Sequence, residues 1–163
     1  MKNIDRRDFL AAITAFAALG AVADAQVYTP HAPGEKILSE SEAFDYNSLP
    51  VHQSSNGGAS RAVIQGVLAT GEHVEVHETT LPPGKMPHPP HRHRHSEFMM
   101  IREGLVEFNM DGKKQRVGPG GVLFAASNQL HGLLNVGDEN ANYFVIAIGR
   151  ETGAMPVKAA PAK

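Results

Sequence analysis

Cysteine is absent from all 163 residues. That excludes disulfides and thiolate ligands, and leaves nitrogen and oxygen as the donors for any bound metal. A chain without thiols is also indifferent to an oxidising compartment. Clustered positive charge is missing too. The formal net charge is −2, and basic residues gather only where Arg92 and Arg94 sit within a histidine tract, so nothing points to a nucleic-acid partner. No apolar run reaches the roughly 20 residues that a membrane-spanning helix requires; the run from Ala11 to Val22 falls short, and no stable membrane span is expected. There is no internal repeat, phosphate-binding glycine loop or Ser/His/Asp arrangement. Asn56-Gly57-Gly58 reads as a plain turn.

The short apolar run belongs to a targeting segment, residues 1–25. Asp5-Arg6-Arg7-Asp8-Phe9-Leu10 precedes it, and Ala23-Asp24-Ala25 follows as a small-X-small triplet suited to cleavage after Ala25. The paired arginines resemble a bacterial twin-arginine export signal, with Asp5 where Ser or Thr is usual and Ala11 where Lys is common. The expected location is therefore periplasmic or secreted. Residues 26–60 are rich in Pro, Ser, Asn and Gly and read as an N-terminal arm. Its apolar points (Ile37, Leu38, Phe44, Tyr46, Leu49, Val51) are expected to dock on the main body or on a neighbouring subunit. Residues 61–150 carry short β-prone runs separated by turn residues, the pattern of one all-β sandwich or barrel. Residues 151–163 form an Ala/Pro/Lys tail, expected to be disordered.

Within that domain, Ala62–Leu68, Glu72–Leu81, Phe98–Arg102, Leu105–Met110, Lys113–Val117, Val122–Ala126, His131–Val136 and Tyr143–Ile148 are the expected strands. Asp111-Gly112 is a strong hairpin signal. On Glu72–Leu81, Val74 and Val76 take one face, and His73, Glu75 and His77 take the other, which reads as exposed to solvent.

The chemistry concentrates in His91-Arg92-His93-Arg94-His95-Ser96-Glu97, answered far along the chain by His131. In a strand, residues i and i+2 share a face, so His91 and His93 would aim at one point. A helix would space ligands at i+3 or i+4 instead. The alternative frame, His93-X-His95, leaves only Ser96 before Glu97.

At these residues the chain resembles the cupin superfamily, small jelly-roll barrels. The first cupin motif is met by Gly84, His91, His93, Glu97 and Gly104, with six residues between Gly84 and His91 where the family usually has five. The second is met by Gly120, Ala126, Asn128, His131 and Asn135. Ala126 and Asn128 replace the usual Pro and Gly, a change expected to alter the turn before His131, and Gly121 stands where Asp is common. The resemblance implies a single jelly-roll barrel with His91, His93, Glu97 and His131 as metal ligands and Asn135 as a structural position. Three imidazoles and a carboxylate suit one divalent transition metal ion, Fe, Mn, Ni, Cu or Zn, and do not choose among them. Six-coordination would leave about two positions open.

Parity along the strands turns Glu97, Met99 and Ile101 inward with Val106, Phe108, Met110, Leu123, Ala125 and Leu133. The cavity would then be apolar apart from the metal, which favours a small, partly apolar or aromatic molecule. Phe98 and Met100 point outward and suit pairing with a second sheet, as in homodimeric cupins. His95 reads as solvated, with a role in orienting a ligand as the alternative; Tyr143 is a candidate donor to substrate or dioxygen, and His88 a rim residue. The leading expectation is a metal-dependent oxidoreductase similar to small quercetin-dioxygenase-like cupins. A non-catalytic ligand- or metal-binding module and a metal-assisted lyase or isomerase are the rivals.

Overall fold

The computed structural model describes residues 35–150. The targeting segment, the start of the arm and the tail after Arg150 lie outside the described residues. Among those described there is no α-helix, and ten strands follow one another: β1 Ile37–Leu38, β2 Val51–Gln53, β3 Ala59–Leu68, β4 His73–Leu81, β5 Ser96–Glu103, β6 Val106–Met110, β7 Lys113–Val117, β8 Val122–Ala125, β9 His131–Asn135 and β10 Ala141–Gly149. One sheet runs β1-β3-β4-β10-β5-β8 with β2 also on β3, and the other runs β7-β6-β9. The two are packed sheets of a jelly-roll sandwich and do not close into a continuous barrel.

The alternation of the sequence places the core between them. Met99, Ile101, Leu123, Ala125, Tyr143 and Val145 from the large sheet meet Val106, Phe108 and Leu133 from the small one. Met99 pairs with Leu123 on one side and Val145 on the other, so a single row of inward side chains crosses three strands. The β6–β7 hairpin turns at Asp111-Gly112 as expected, both residues taking positive φ (52° and 95°), and Met110 pairs with Lys113. Gly104 turns between β5 and β6 at φ 81°, and a β-carbon there would come 2.6 Å from Ala141 Cα, so the motif glycine answers a close approach of backbone.

The arm contributes structure as well as apolar contacts. β1 runs parallel to β3, β2 runs antiparallel to it, and a 3-10 turn at Tyr46–Ser48, capped by Asp45, lies between them. Tyr46 receives the guanidinium groups of Arg61 and Arg102 over its ring, 4.5 and 4.4 Å from the centroid. Its hydroxyl accepts from Asn142. Beneath lies Glu78, 0% exposed. Its carboxylate takes hydrogen bonds from Arg61 (2.8 Å), Thr80 (2.7 Å) and Asn142. This buried ionic knot pins the arm to the outer face of the sheet.

Candidate metal centre

The ligand tract lies before β5 and is not a strand. His91 makes an isolated bridge with His131, its N–H donating to the His131 carbonyl (3.0 Å) and its carbonyl accepting in return (3.1 Å). His93 and His95 sit in irregular chain. The expected strand geometry for His91 and His93 is therefore corrected: the prolines at 82, 83, 87, 89 and 90 disfavour a ladder, and cross-links to the β8–β9 loop hold the tract instead. The N–H of Asn128 donates to the His93 carbonyl (2.7 Å), and Arg92 donates to the Asn128 carbonyl (2.9 Å). Asn128 stands at φ 59°, the left-handed conformation that the usual glycine adopts freely and asparagine tolerates. Gly121 leaves room for Val117, which a β-carbon there would strike.

These constraints bring the rings of His91, His93 and His131 together, with centroids 4.6 to 4.9 Å apart. The backbone then decides which nitrogen each presents. His93 Nδ1 lies 2.9 Å from the His95 carbonyl, and His131 Nδ1 lies 2.9 Å from the Gln129 carbonyl. Both must carry their proton on Nδ1, which turns the Nε2 lone pairs toward the centre. Those two Nε2 atoms, His91 Nδ1 and His95 Nδ1 are buried without a hydrogen-bond partner. Glu97, the second residue of β5, faces them: its carboxylate oxygens lie 3.2 Å from His93 Nε2 and 3.6 Å from His131 Nε2.

Donor atoms of His91, His93 and His131 lie within 4.8 Å of one another, as do those of His93, His95 and Glu97. The second trio revives the frame that spacing set aside. The hydrogen bonds give His95 a further partner, because its Nε2 is 2.9 Å from Glu97 Oε1 and so engages that carboxylate, while its Nδ1, like that of His91, is buried without a partner. The expectation that His95 is solvated is corrected. It is 4% exposed, stacked on His93 at 3.6 Å and 9°, and it holds Glu97 in place. Sequence could not show this, since the reversal comes from the bend at residues 94–95.

Burial and mutual repulsion set the charge states. Burial, with the neighbouring His88, His131 and His93, pushes the His91 ring down to about 4, so it is neutral at pH 7. Burial also works against a charged His93, but the Glu97 carboxylate beside its ring outweighs it and holds the ring above its ordinary value. Burial opposes ionisation of Glu97, yet the surrounding rings of His131, His93 and His95 keep its carboxyl far below the usual range. A carboxylate and neutral imidazole lone pairs are the donor forms that a divalent transition metal takes. The residues fit such an ion.

A cavity of about 170 Å³ opens beside Glu97 and His131, walled by Met99, Phe108, Leu133 and Val145. Tyr143 also lines it; burial holds its hydroxyl above the ordinary value, so it stays protonated. His88 stands at the same pocket with its ring 4.1 Å from that of His91, consistent with a rim residue. His77 lines the pocket as well, which corrects its reading as part of an exposed face. Asn135 is fully buried and donates to the Leu81 and Glu139 carbonyls, each at 2.8 Å, a structural role.

Residues 77–147 match the cupin domain family. No curated protein matches the chain. Among solved structures, an RmlC-like cupin from Shewanella frigidimarina is 19% identical with a TM-score of 0.55, covering 67% of this chain and 92% of its own. KdgF from a Halomonas species is 16% identical with a TM-score of 0.57, covering 66% and 94%. The polyketide cyclase RemF from Streptomyces resistomycificus is 16% identical with a TM-score of 0.57, covering 76% and 88%. Identities this low establish the fold alone. The match places a cupin domain over residues 77–147, and the solved structures share its fold.

Proposed function

We propose that this chain is an exported, mononuclear metal-dependent oxidoreductase of the dioxygenase type, with His91, His93, Glu97 and His131 holding one divalent transition metal ion. The observation that carries it is the set of buried, unpartnered ring nitrogens converging beside an ionised carboxylate. Unpaired polar atoms in a dry interior cost stability, and a cation is the partner that would satisfy all of them at once. When bound, such an ion supplies Lewis acidity, or redox capacity where the element allows it. The chain's own residues do the rest. The His95 and Gln129 carbonyls fix the tautomers, the His95 ring steadies Glu97, and the apolar wall excludes water. Tyr143 offers a neutral O–H toward the pocket.

The volume limits the substrate. An apolar cavity of about 150 Å³ holds benzene, so this one suits a single aromatic ring or a smaller enol or acid. Export follows from the paired arginines and the Ala23-Asp24-Ala25 triplet. A metal-assisted lyase or isomerase is the second reading, favoured by the extra ionisable ring of His77 in the pocket.

Metal analysis of protein exported and purified without added metal, followed by oxygen-electrode assays with single-ring catechols and enols, tests the proposal. Roughly one equivalent of Fe, Mn, Ni or Cu with oxygen uptake is expected. Zinc with anaerobic turnover would shift the assignment to the lyase or isomerase. Ligand-induced stabilisation without product would make the chain a binding module.

The outer face of the large sheet supports a homodimer. Phe98, Met100, Val122 and Phe124 are 40%, 41%, 60% and 52% exposed among the described residues. They form cross-strand pairs on β5 and the edge strand β8, Phe98 with Phe124 and Met100 with Val122. A contiguous apolar patch of this kind marks an interface. Analytical ultracentrifugation should show a dimer, and Phe124→Asp should yield a monomer; a wild-type monomer at micromolar concentration would remove the idea.

A further inference from the structure

β4 carries a second polar group into the cavity. Val145 on β10 pairs with His77 on β4 and with Met99 on β5, so His77 shares the inward face of the core residues. Glu75, two residues earlier, lies on the same face. Its two carboxylate oxygens grip His77 Nδ1 at 2.9 and 2.8 Å. That contact fixes the proton on Nδ1 and leaves Nε2 as the ring's free nitrogen. Both side chains are half-buried, at 30% and 25% exposure. The same cavity is lined by His77, Thr79 and Tyr143 from one region and by Glu97 and His131 from the other.

The leading reading of the metal site gives this pair no role, and the hydrogen bonds described for it are its own. A carboxylate-oriented imidazole on a cavity wall is the arrangement that accepts a proton efficiently: the ring is held in one tautomer and the carboxylate stabilises the imidazolium that forms. The cavity is small enough for a single-ring ligand to face the histidine cluster at one side and β4 at the other.

We infer that His77, positioned by Glu75, accepts the proton of an acidic hydroxyl on the ligand as it enters the pocket, so that the site selects enols and phenols. The inference rests on the proposed metal site. The step balances simply. The ligand O–H bond breaks, its electron pair stays on oxygen, and the proton forms a bond to His77 Nε2; a cation held by His91, His93, Glu97 and His131 would stabilise the oxyanion. Glu75 offsets the resulting imidazolium charge. No oxidant is needed.

Calorimetry of catechol binding to the zinc-loaded protein tests this, because a redox-inert ion prevents turnover. Titrations in buffers of differing ionisation enthalpy, at about pH 8 where free imidazole is neutral, count protons released to solvent. The wild type should release about one proton fewer per catechol than His77→Gln, and that variant should bind about tenfold more weakly. Glu75→Gln, which keeps the ring, should behave as His77→Gln, and Glu75→Asp should recover part of the difference. Zinc content should stay equal throughout. Equal proton counts at equal zinc content would overturn the role of His77 and leave the metal site standing, as would a variant that changed only thermal stability. Failure of the zinc-loaded wild type to bind catechol would also overturn it. Failure of the wild type to hold stoichiometric zinc would remove the metal site and this inference together.

Discussion

Replacing His93 by alanine is expected to weaken metal binding by more than about a hundredfold, while His95→Ala costs about 10- to 100-fold. The distinction comes from their surroundings. His93 has its Nδ1 held by the His95 carbonyl and its Nε2 turned to the rings of His91 and His131, whereas His95 directs its Nε2 to Glu97 and acts through that carboxylate. Removing His93 deletes a donor; removing His95 leaves the donor set intact but lets Glu97 turn. Competition against a chromophoric chelator measures both, and equal losses would reverse the assignment of the two rings. The same titration carries a pH dependence with a definite sign. His93 is held above its ordinary value by Glu97, so below that raised pKa a proton occupies the nitrogen the metal requires. Apparent affinity should therefore rise with pH through the neutral range, by up to about tenfold per unit below the His93 pKa. His91, held down at about 4, contributes no such competition near neutrality. A flat profile between about pH 6 and 8 would contradict the His93–Glu97 coupling.

Glu78→Ala should destabilise the fold by about 3 kcal/mol, since breaking a buried ion pair leaves the surviving charge uncompensated. Arg61, only 19% exposed, would lose its carboxylate partner, and Thr80 and Asn142 would lose an acceptor. For a domain of this size that corresponds to a fall in Tm of roughly 6–12 °C. Because Arg61 also packs over Tyr46, the 3-10 turn of the arm should loosen first. Glu78→Gln keeps oxygen and shape and should cost less. Denaturant unfolding of the two variants gives the comparison, and a loss below about 1 kcal/mol for the alanine variant would show that the arm does not depend on this knot.

Much of this was legible in the residues. The strands around the core, the Asp111-Gly112 hairpin and the inward set from Glu97 to Leu133 follow from period-two alternation, and the cupin-like spacing located the cluster. The failures share one cause. On β4 the apolar pair Val74 and Val76 looked like the core side, so His77 was read as solvated. Both faces of that strand are in fact covered, the outer one by the ionic knot on Glu78, and the inner one lines a cavity where a polar residue has a use. Alternation reports which face is greasier, and that is a different question from which face is inside. His95 was misread for a related reason: strand parity does not apply where prolines and a bend interrupt the chain. Side-chain hydrogen bonds across the fold, such as Arg61 to Glu78, leave no periodic trace at all.

The irregular run from Pro82 to Pro90 has a consequence for how such a chain can change length. On β5, Glu97 and Phe98 are neighbours that serve opposite faces, so a one-residue insertion within the ladder would exchange a carboxylate for a phenyl ring and bury the exposed apolar patch in the cavity. Upstream, no ladder exists to be shifted, and the run is held by single bonds, Gly84 and Lys85 to Asn135 and Asn56 to the Met86 carbonyl. The additional residue between Gly84 and His91 falls in this stretch. Pro87 and His88, which border the pocket, belong to it too. Insertions and deletions can therefore reshape the entrance while the interior keeps its register, making the loop the place where the size of an admitted ligand can be tuned independently of the chemistry beneath it.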